Sequence, residues 1–403
     1  LLFPRRWRMR EFVSSKVREM PPSGIRKFFD LVLTMDDVVS LGVGEPDFVT
    51  PWHIREACIY SLENGFTSYT SNYGLMELRE LLSKCTKSEF GLDYAPENEV
   101  LVTTGVSEGF DLAVRAVANP GDEFIIPEPC YVSYKPLVQL AGGIPVPVPT
   151  SADNEFRVTA EQIRDKLTEN TKGIILSYPN NPTGAIMPRK QLEEIAALVE
   201  EYDLLVISDE VYDKLTYEGT HTCFASLDGM AERTILLNGF SKSHAMTGLR
   251  IGYAMAKGRL IDCMVKVHQY GMLCAPITAQ MGAIEALKHG EPEMRKMARE
   301  YNRRRKLIVS GFNSLGLDCY EPKGAFYAFP SIRSTGMSSD EFASMLLKEK
   351  KVATVPGSVF GECGEGYLRC SYAVSAEDIN TALARIGEFL EAHKPELAAA
   401  SVH

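Results

Sequence analysis

Six short apolar runs constrain this 403-residue chain more than any other feature. They are EVLVTTG (99–105), EFIIPEP (123–129), GIILSYP (173–179), LLVISDE (204–210), TILLNGFSK (234–242) and LRIGYAMA (249–256). Each is nearly continuously apolar. A strand with one face in water alternates, whereas a strand buried on both faces does not. Any one run also suits a buried helix segment, so their order has to decide. Between them lie stretches with helical spacing, such as SEGFDLAVRAVANPGD, closing at Pro120-Gly121, and RKQLEEIAALVEEYD. That alternation predicts an α/β fold, a mostly parallel sheet covered by helices. A hydrophobic fraction of 45% is ample for such a core.

The character changes at about Glu291. MRKMAREYNRRRKLIVSGFNSLG reads as a long charged helix. Short strands follow around AFYAFP and GYLRCSY, with helices at SSDEFASMLLKEKK and SAEDINTALARIGEFLEAH. Three parts are therefore expected: an N-terminal arm over 1–40, a large domain over 41–290 and a smaller α+β domain over 291–403. The arm is too short to fold alone and is expected to pack partly on the small domain and partly on a partner. The first residues, LLFPRRWRMREF, have no apolar segment of a secretory signal; an Arg-rich transit peptide stays open, though the segment is short and soon meets Glu11 and Glu19, and Met9 is the expected natural start.

Several function classes are disfavoured. No apolar run approaches the roughly 20 residues of a membrane-spanning helix. A formal net charge of −10 argues against a nucleic-acid-binding surface. Nine cysteines without CxxC spacing and seven histidines without ligand spacing argue against disulfide scaffolds and metal sites. Scattered thiols suit the cytoplasm.

The residues that invite chemistry sit where predicted strands end, which is where open α/β sheets bind ligands. Lys242, in NGFSKSHAMTGLRIG, follows an apolar strand with no other charge until Arg250. A partly desolvated lysine loses its proton readily and attacks aldehydes. Arg250 offers a guanidinium fork for a phosphate. Asp209 and Glu210 end another strand, with Tyr212 close behind; a buried carboxylate there needs a cation, a salt-bridge partner or a helix to cap. Asn181 lies in the turn Asn-Pro-Thr-Gly. Gly105, Val106 and Ser107 join a strand to a helix N-terminus, either as a phosphate cradle or as a simple cap. Tyr131 either stacks on a flat ring or fills core. Arg369, within an apolar run, needs an anion, internal or on a substrate. His268, Gln269 and Tyr270 line a substrate pocket or form plain helix surface.

In this order the set resembles the class I/II aminotransferases of fold type I. The likeness runs through SGIRKFFD, LGVGEPDF, YTSNYGLMELRE, NPTG, SDEVY, NGFSKSHAMTGLRIGY, KGAFYAFP, VPGSVFG and GEGYLRCSYA. It resembles most the branch of aromatic, aspartate and N-acetyl-diaminopimelate aminotransferases.

The resemblance implies a large domain with a mostly parallel seven-stranded sheet that binds pyridoxal 5′-phosphate. Lys242 would bind the cofactor as a Schiff base and later shuttle the substrate α-proton. Asp209 would pair with the pyridine nitrogen, Tyr212 and Asn181 with the ring oxygen, and Tyr131 with the ring face. Gly105, Val106, Ser107, Ser241 and Arg250 would hold the phosphate. Arg369, Asn181 and the Gly44 backbone would hold the substrate carboxylate. Tyr69 would reach the phosphate in the other subunit, so a homodimer is implied. The reaction implied is ping-pong transfer from an L-amino acid to a 2-oxo acid, 2-oxoglutarate above all, with an aromatic, aspartate or diaminopimelate-type partner. Gly239 stands where relatives often have Ser, Tyr131 where some have Trp, and Ser107 where an aspartate-specific group has Lys. A β-lyase, decarboxylase or aminocyclopropane-carboxylate synthase shares these features. A non-catalytic cofactor-binding regulator would need a winged-helix domain ahead of Gly44.

Overall fold

A computed structural model describes residues 11–22, 24 and 35–400. Met9 and all but Gly24 of the stretch 23–30 lie outside the described residues.

After a two-residue strand β1 (Val39–Ser40) comes a seven-stranded sheet. Its strands are β2 (Val100–Thr103), β3 (Glu123–Glu128), β4 (Ile144–Pro149), β5 (Thr171–Ser177), β6 (Leu205–Asp209), β7 (Thr234–Gly239) and β8 (Gly252–Met255), in the order β2-β8-β7-β6-β5-β3-β4. β8 runs antiparallel to both its neighbours and the remaining pairings are parallel. The continuous apolar runs have a direct cause. Ile174, Leu176 and Val206 face one core, while Ile175, Ile207 and Ile235 face another across the sheet. Each such fully buried side chain contributes about 2 kcal/mol of burial.

β4 was not among the six predicted runs. Its sequence IPVPVP places Pro145, Pro147 and Pro149 at every second position. Successive N–H groups of a strand point to opposite sides, so these prolines remove donors from one side only. That side is the free edge of the sheet, where β4 lies half-exposed.

The helix Glu291–Ser314 carries Pro in its first turn, where no N–H is missed. It packs around Tyr301, Ile308 and Phe312 against Phe342, Tyr372 and Phe389. The strands β9 (Tyr327–Ala328), β10 (Val352–Ala353), β11 (Val355–Pro356) and β12 (Leu368–Ser371) follow. β11, β12 and β9 form an antiparallel sheet, and β10 pairs in parallel with β1. Arg304 on the long helix donates to Asp47 at 2.8 Å, which anchors the GEPDF loop.

Candidate active site

The chain leaves β2, β3, β5, β6 and β7 at one end of the sheet, and a cavity of about 650 Å³ opens there. Gly44, Val106, Ser107, Tyr131 and Asn181 line it, as do Asp209, Tyr212, Ser241, Lys242, Arg250 and Arg369. Gly105 lies directly behind Arg250. Tyr69 is 81% exposed and is not part of this wall.

At one end, the helix Val106–Val117 begins with its free N–H groups beside the cavity. Gly105 before it has φ +82°, and a Cβ there would stand 2.7 Å from Arg250 Nη2. Only glycine permits both the turn and the close approach. Arg250 itself adopts φ +54° and donates to the Thr247 carbonyl at 3.0 Å. Ser241 is buried beside them.

At the centre, Lys242 Nζ donates to the Gly44 carbonyl at 2.7 Å. Burial, then the positive charge of Arg369, lowers this amine to about 8; Glu45 and Asp209 oppose that and Arg250 adds to it. Asp209 is buried and receives Tyr134 Oη at 2.7 Å and the Val211 N–H at 3.2 Å. Burial raises it to about 6, against the pull of those donors and of Lys242. Among the described residues no cation is ion-paired to it. Tyr212 lies within 2.7 Å of Tyr327, hydroxyl to hydroxyl.

At the other end, Arg369 is buried between the rings of Tyr327 and Phe360, at 4.6 and 5.0 Å. It donates to Asn181 Oδ1 at 3.1 Å and to the Gly42 carbonyl at 2.6 Å. Its Nε is buried without a partner, and among the described residues no carboxylate pairs with it. The turn that aims Asn181 is built by Asn180, whose Oδ1 accepts from the backbone N–H and hydroxyl of Thr183 at 3.2 and 2.9 Å.

One expectation is corrected. His268 lines neither the site cavity nor the exposed helix surface: it is fully buried, with Nδ1 2.8 Å from Glu108 beneath the helix N-terminus. Tyr270 points to solvent at 88% exposure. Tyr134 and Tyr327 were not singled out from the sequence. Tyr134 carries no local mark beyond its place after Tyr131, and Tyr327 none beyond the segment KGAFYAFP.

The family model for aminotransferase class I and II matches residues 36–386. The chain is 54% identical to the protein YugH of Bacillus subtilis, over 95% of this chain and 99% of that one. It is 45% identical to an aspartate aminotransferase of Pyrococcus abyssi, again over 95% and 99%. A crystal structure of an aromatic aminotransferase from Pyrococcus horikoshii superposes with a TM-score of 0.87 at 45% identity, covering 92% of this chain and 99% of that one. The chain belongs to the class I and II aminotransferases.

As an aminotransferase it depends on pyridoxal 5′-phosphate and exchanges amino groups between amino acids and 2-oxo acids. The cavity fits that cofactor. Gly105 lets the Arg250 guanidinium lie against the start of the helix Val106–Val117, a donor set that suits a phosphate; a buried carboxylate lacks a cation among the described residues, and a lowered amine stands ready for an aldehyde. Among the described residues no helix is long and apolar enough to cross a membrane.

Proposed function

We propose that Lys242 is the residue that binds the cofactor aldehyde and moves the substrate proton, and that the donor carries an uncharged, aromatic side chain. The observation that carries this is the position of the Lys242 amine in one cavity between two arginines with different surroundings. Gly105, Val106, Ser107, Ser241 and Arg250 would hold the phosphate. Asp209 would keep the ring nitrogen protonated, Tyr212 and Asn181 would donate to the ring oxygen, and Tyr131 would cover the ring face. Arg369, Asn181 and the Gly44 backbone orient the α-carboxylate.

Bound there, the cofactor supplies an aldehyde for the amino group and a ring that draws electrons from the Cα–H bond. Lys242 Nζ, lowered to about 8, is available as a base near neutral pH and returns the proton as an acid. Arg369 fixes the carboxylate through its planar fork, so the Cα–H bond keeps one orientation to Nζ. Within the described cavity wall, Lys242, Arg250 and Arg369 are the cations, and each has an assignment. None of these three is left for a side-chain carboxylate of the donor, and the distal carboxylate of 2-oxoglutarate falls to the second copy of the chain in this reading. With 2-oxoglutarate as acceptor, kcat/KM for Phe and Tyr should exceed that for Asp; the reverse order overturns the aromatic reading. Loss of turnover in Lys242→Ala checks the lysine.

A homodimer completes the site in this reading, working in the cytoplasm, with the chain divided at 1–40, 41–290 and 291–403. Trp52, Tyr60, Leu62, Phe66 and Tyr69 are exposed. Asn72 ties that segment to Leu273, beside exposed Tyr270 and Met272. An apolar face of this kind suits a second copy. Tyr69 then reaches the phosphate of the other subunit. Mixing Lys242→Ala and Tyr69→Phe chains should rebuild one complete site per hybrid dimer, detected as recovered turnover at low cofactor concentration.

A further inference from the structure

Tyr327 is buried, lines the cavity and has no role in the assignment above. It stands on β9, which pairs with β12, the strand that carries Arg369. Its hydroxyl is 2.7 Å from that of Tyr212, which follows β6 in the large sheet. Its ring lies 4.6 Å from the Arg369 guanidinium. A Cβ on Gly44 would stand 2.7 Å from its hydroxyl, so glycine at 44 leaves room for that hydroxyl.

Two phenols in contact share one hydrogen bond, and one of them must donate. If Tyr212 donates, its proton points away from the cavity. If Tyr327 donates, the proton of Tyr212 is released to face the cofactor's ring oxygen. The neighbours decide between these. A guanidinium against a ring makes its hydroxyl the better donor. Burial raises both phenols, Tyr212 well above its ordinary value; at Tyr327 the charge of Arg369 is the first opposing influence. The other groups facing the pair are Arg369 and Asp209 toward Tyr212, Tyr131 toward Tyr327, and the Gly44 carbonyl, a long 3.5 Å from the Tyr327 hydroxyl; the guanidinium lies against the ring of Tyr327.

We propose that Tyr327 is a positioning residue: it donates its hydroxyl proton to Tyr212 and thereby aims the Tyr212 proton at the ring oxygen, while its ring face seats Arg369. This rests on the role given to Tyr212 above. One side chain would thus set the geometry of both the ring-oxygen and the carboxylate contacts, from a strand remote in sequence from β6.

The test is a pH titration of the visible absorbance of the cofactor-loaded protein. A weaker or missing donor at the ring oxygen leaves more charge there and raises the proton affinity of the conjugated nitrogen; Tyr327→Phe weakens the Tyr212 donor and Tyr212→Phe removes it. Tyr327→Phe should move the midpoint upward by about half a pH unit. Tyr212→Phe should move it further in the same direction. Incorporating 3-fluorotyrosine at 327, a stronger donor, should move it downward, a sign that a merely structural role does not produce. The dissociation constant of 3-phenylpropanoate, which has the carboxylate without the amine, should change less than about twofold in Tyr327→Phe and weaken about threefold in Tyr327→Leu, which loses the ring face. If Tyr212→Phe shifts the midpoint while the Phe and fluorotyrosine proteins do not shift it in opposite directions, the inference about Tyr327 is overturned. If Tyr212→Phe leaves the midpoint in place, the assignment of Tyr212 falls first and takes this inference with it.

Discussion

The two ends of the cavity use the same side chain in opposite ways. Arg250 is exposed in the single chain, sits in left-handed backbone and is steadied by one carbonyl, with a glycine and a helix N-terminus beside it. Arg369 is buried between two aromatic rings, satisfied by an amide and a carbonyl, with one N–H left over. The first arrangement suits an anion that arrives once and stays, because backbone donors and the helix dipole share the load. The second suits an anion that comes and goes. Neutral acceptors hold the guanidinium in place without neutralising it, so each incoming carboxylate meets a full, desolvated charge.

Removing one arginine at a time is the most direct way to break that contrast. Arg369→Ala should lower kcat/KM by roughly a thousandfold, since a charge-paired contact in a buried site is lost. Cofactor retention on dialysis should stay near wild type; if cofactor is lost instead, the two ends are not separate. Arg250→Ala should do the converse. Cofactor affinity should fall roughly ten- to a hundredfold, measured by fluorescence titration of the apoprotein, while kcat at saturating cofactor changes less.

The carboxylate between the two ends sharpens the comparison. Asp209 is raised to about 6 from 3.8, so the folded apoprotein binds more protons than the unfolded chain between those values. Stability from this group is therefore greatest below about pH 4 and is lost as pH rises through 6, by about 2–3 kcal/mol. Asp209→Asn should flatten that part of the apoprotein's stability-against-pH curve, followed by urea unfolding, and cofactor should restore stability to the native chain but not to the variant. A native curve as flat as that of the variant would remove the unpaired-anion reading. Tyr134→Phe takes away the 2.7 Å donor to Asp209 and should move the acid limb of kcat upward by about half a pH unit. The smallest effect should come from salt. Raising ionic strength to about 1 M should weaken cofactor binding at the exposed Arg250 more than carboxylate binding at the buried Arg369.

Asp209 and Glu210 show where reading the sequence stops. They are adjacent carboxylates at one strand end, and both are buried. Asp209 faces the cavity. Glu210 is held by His221 at 2.7 Å, Ser208 at 2.9 Å and the Phe224 N–H at 3.0 Å, a structural anchor on the other side of the chain. Strand alternation says that the two point apart, but not which one meets a ligand. The strand Ile144–Pro149 was missed for a related reason: its prolines look like breakers until its place at a sheet edge is known.

What the sequence determined by itself was what short-range chemistry controls. Runs buried on both faces mark the sheet, Asn181 to Gly184 mark a turn by residue type, and Gly105, Val106 and Ser107 mark a helix start, as phosphate cradle or simple cap. Tertiary structure alone decided the contacts that tune the site. Tyr134 reaches Asp209 across 75 residues, Tyr212 meets Tyr327 across 115, and Arg369 meets Asn181 across 188. No local periodicity encodes such pairs. They exist because the strands set their C-terminal ends around one opening and β9 and β12 close over it, and only that assembly removes the water that would otherwise level their charges.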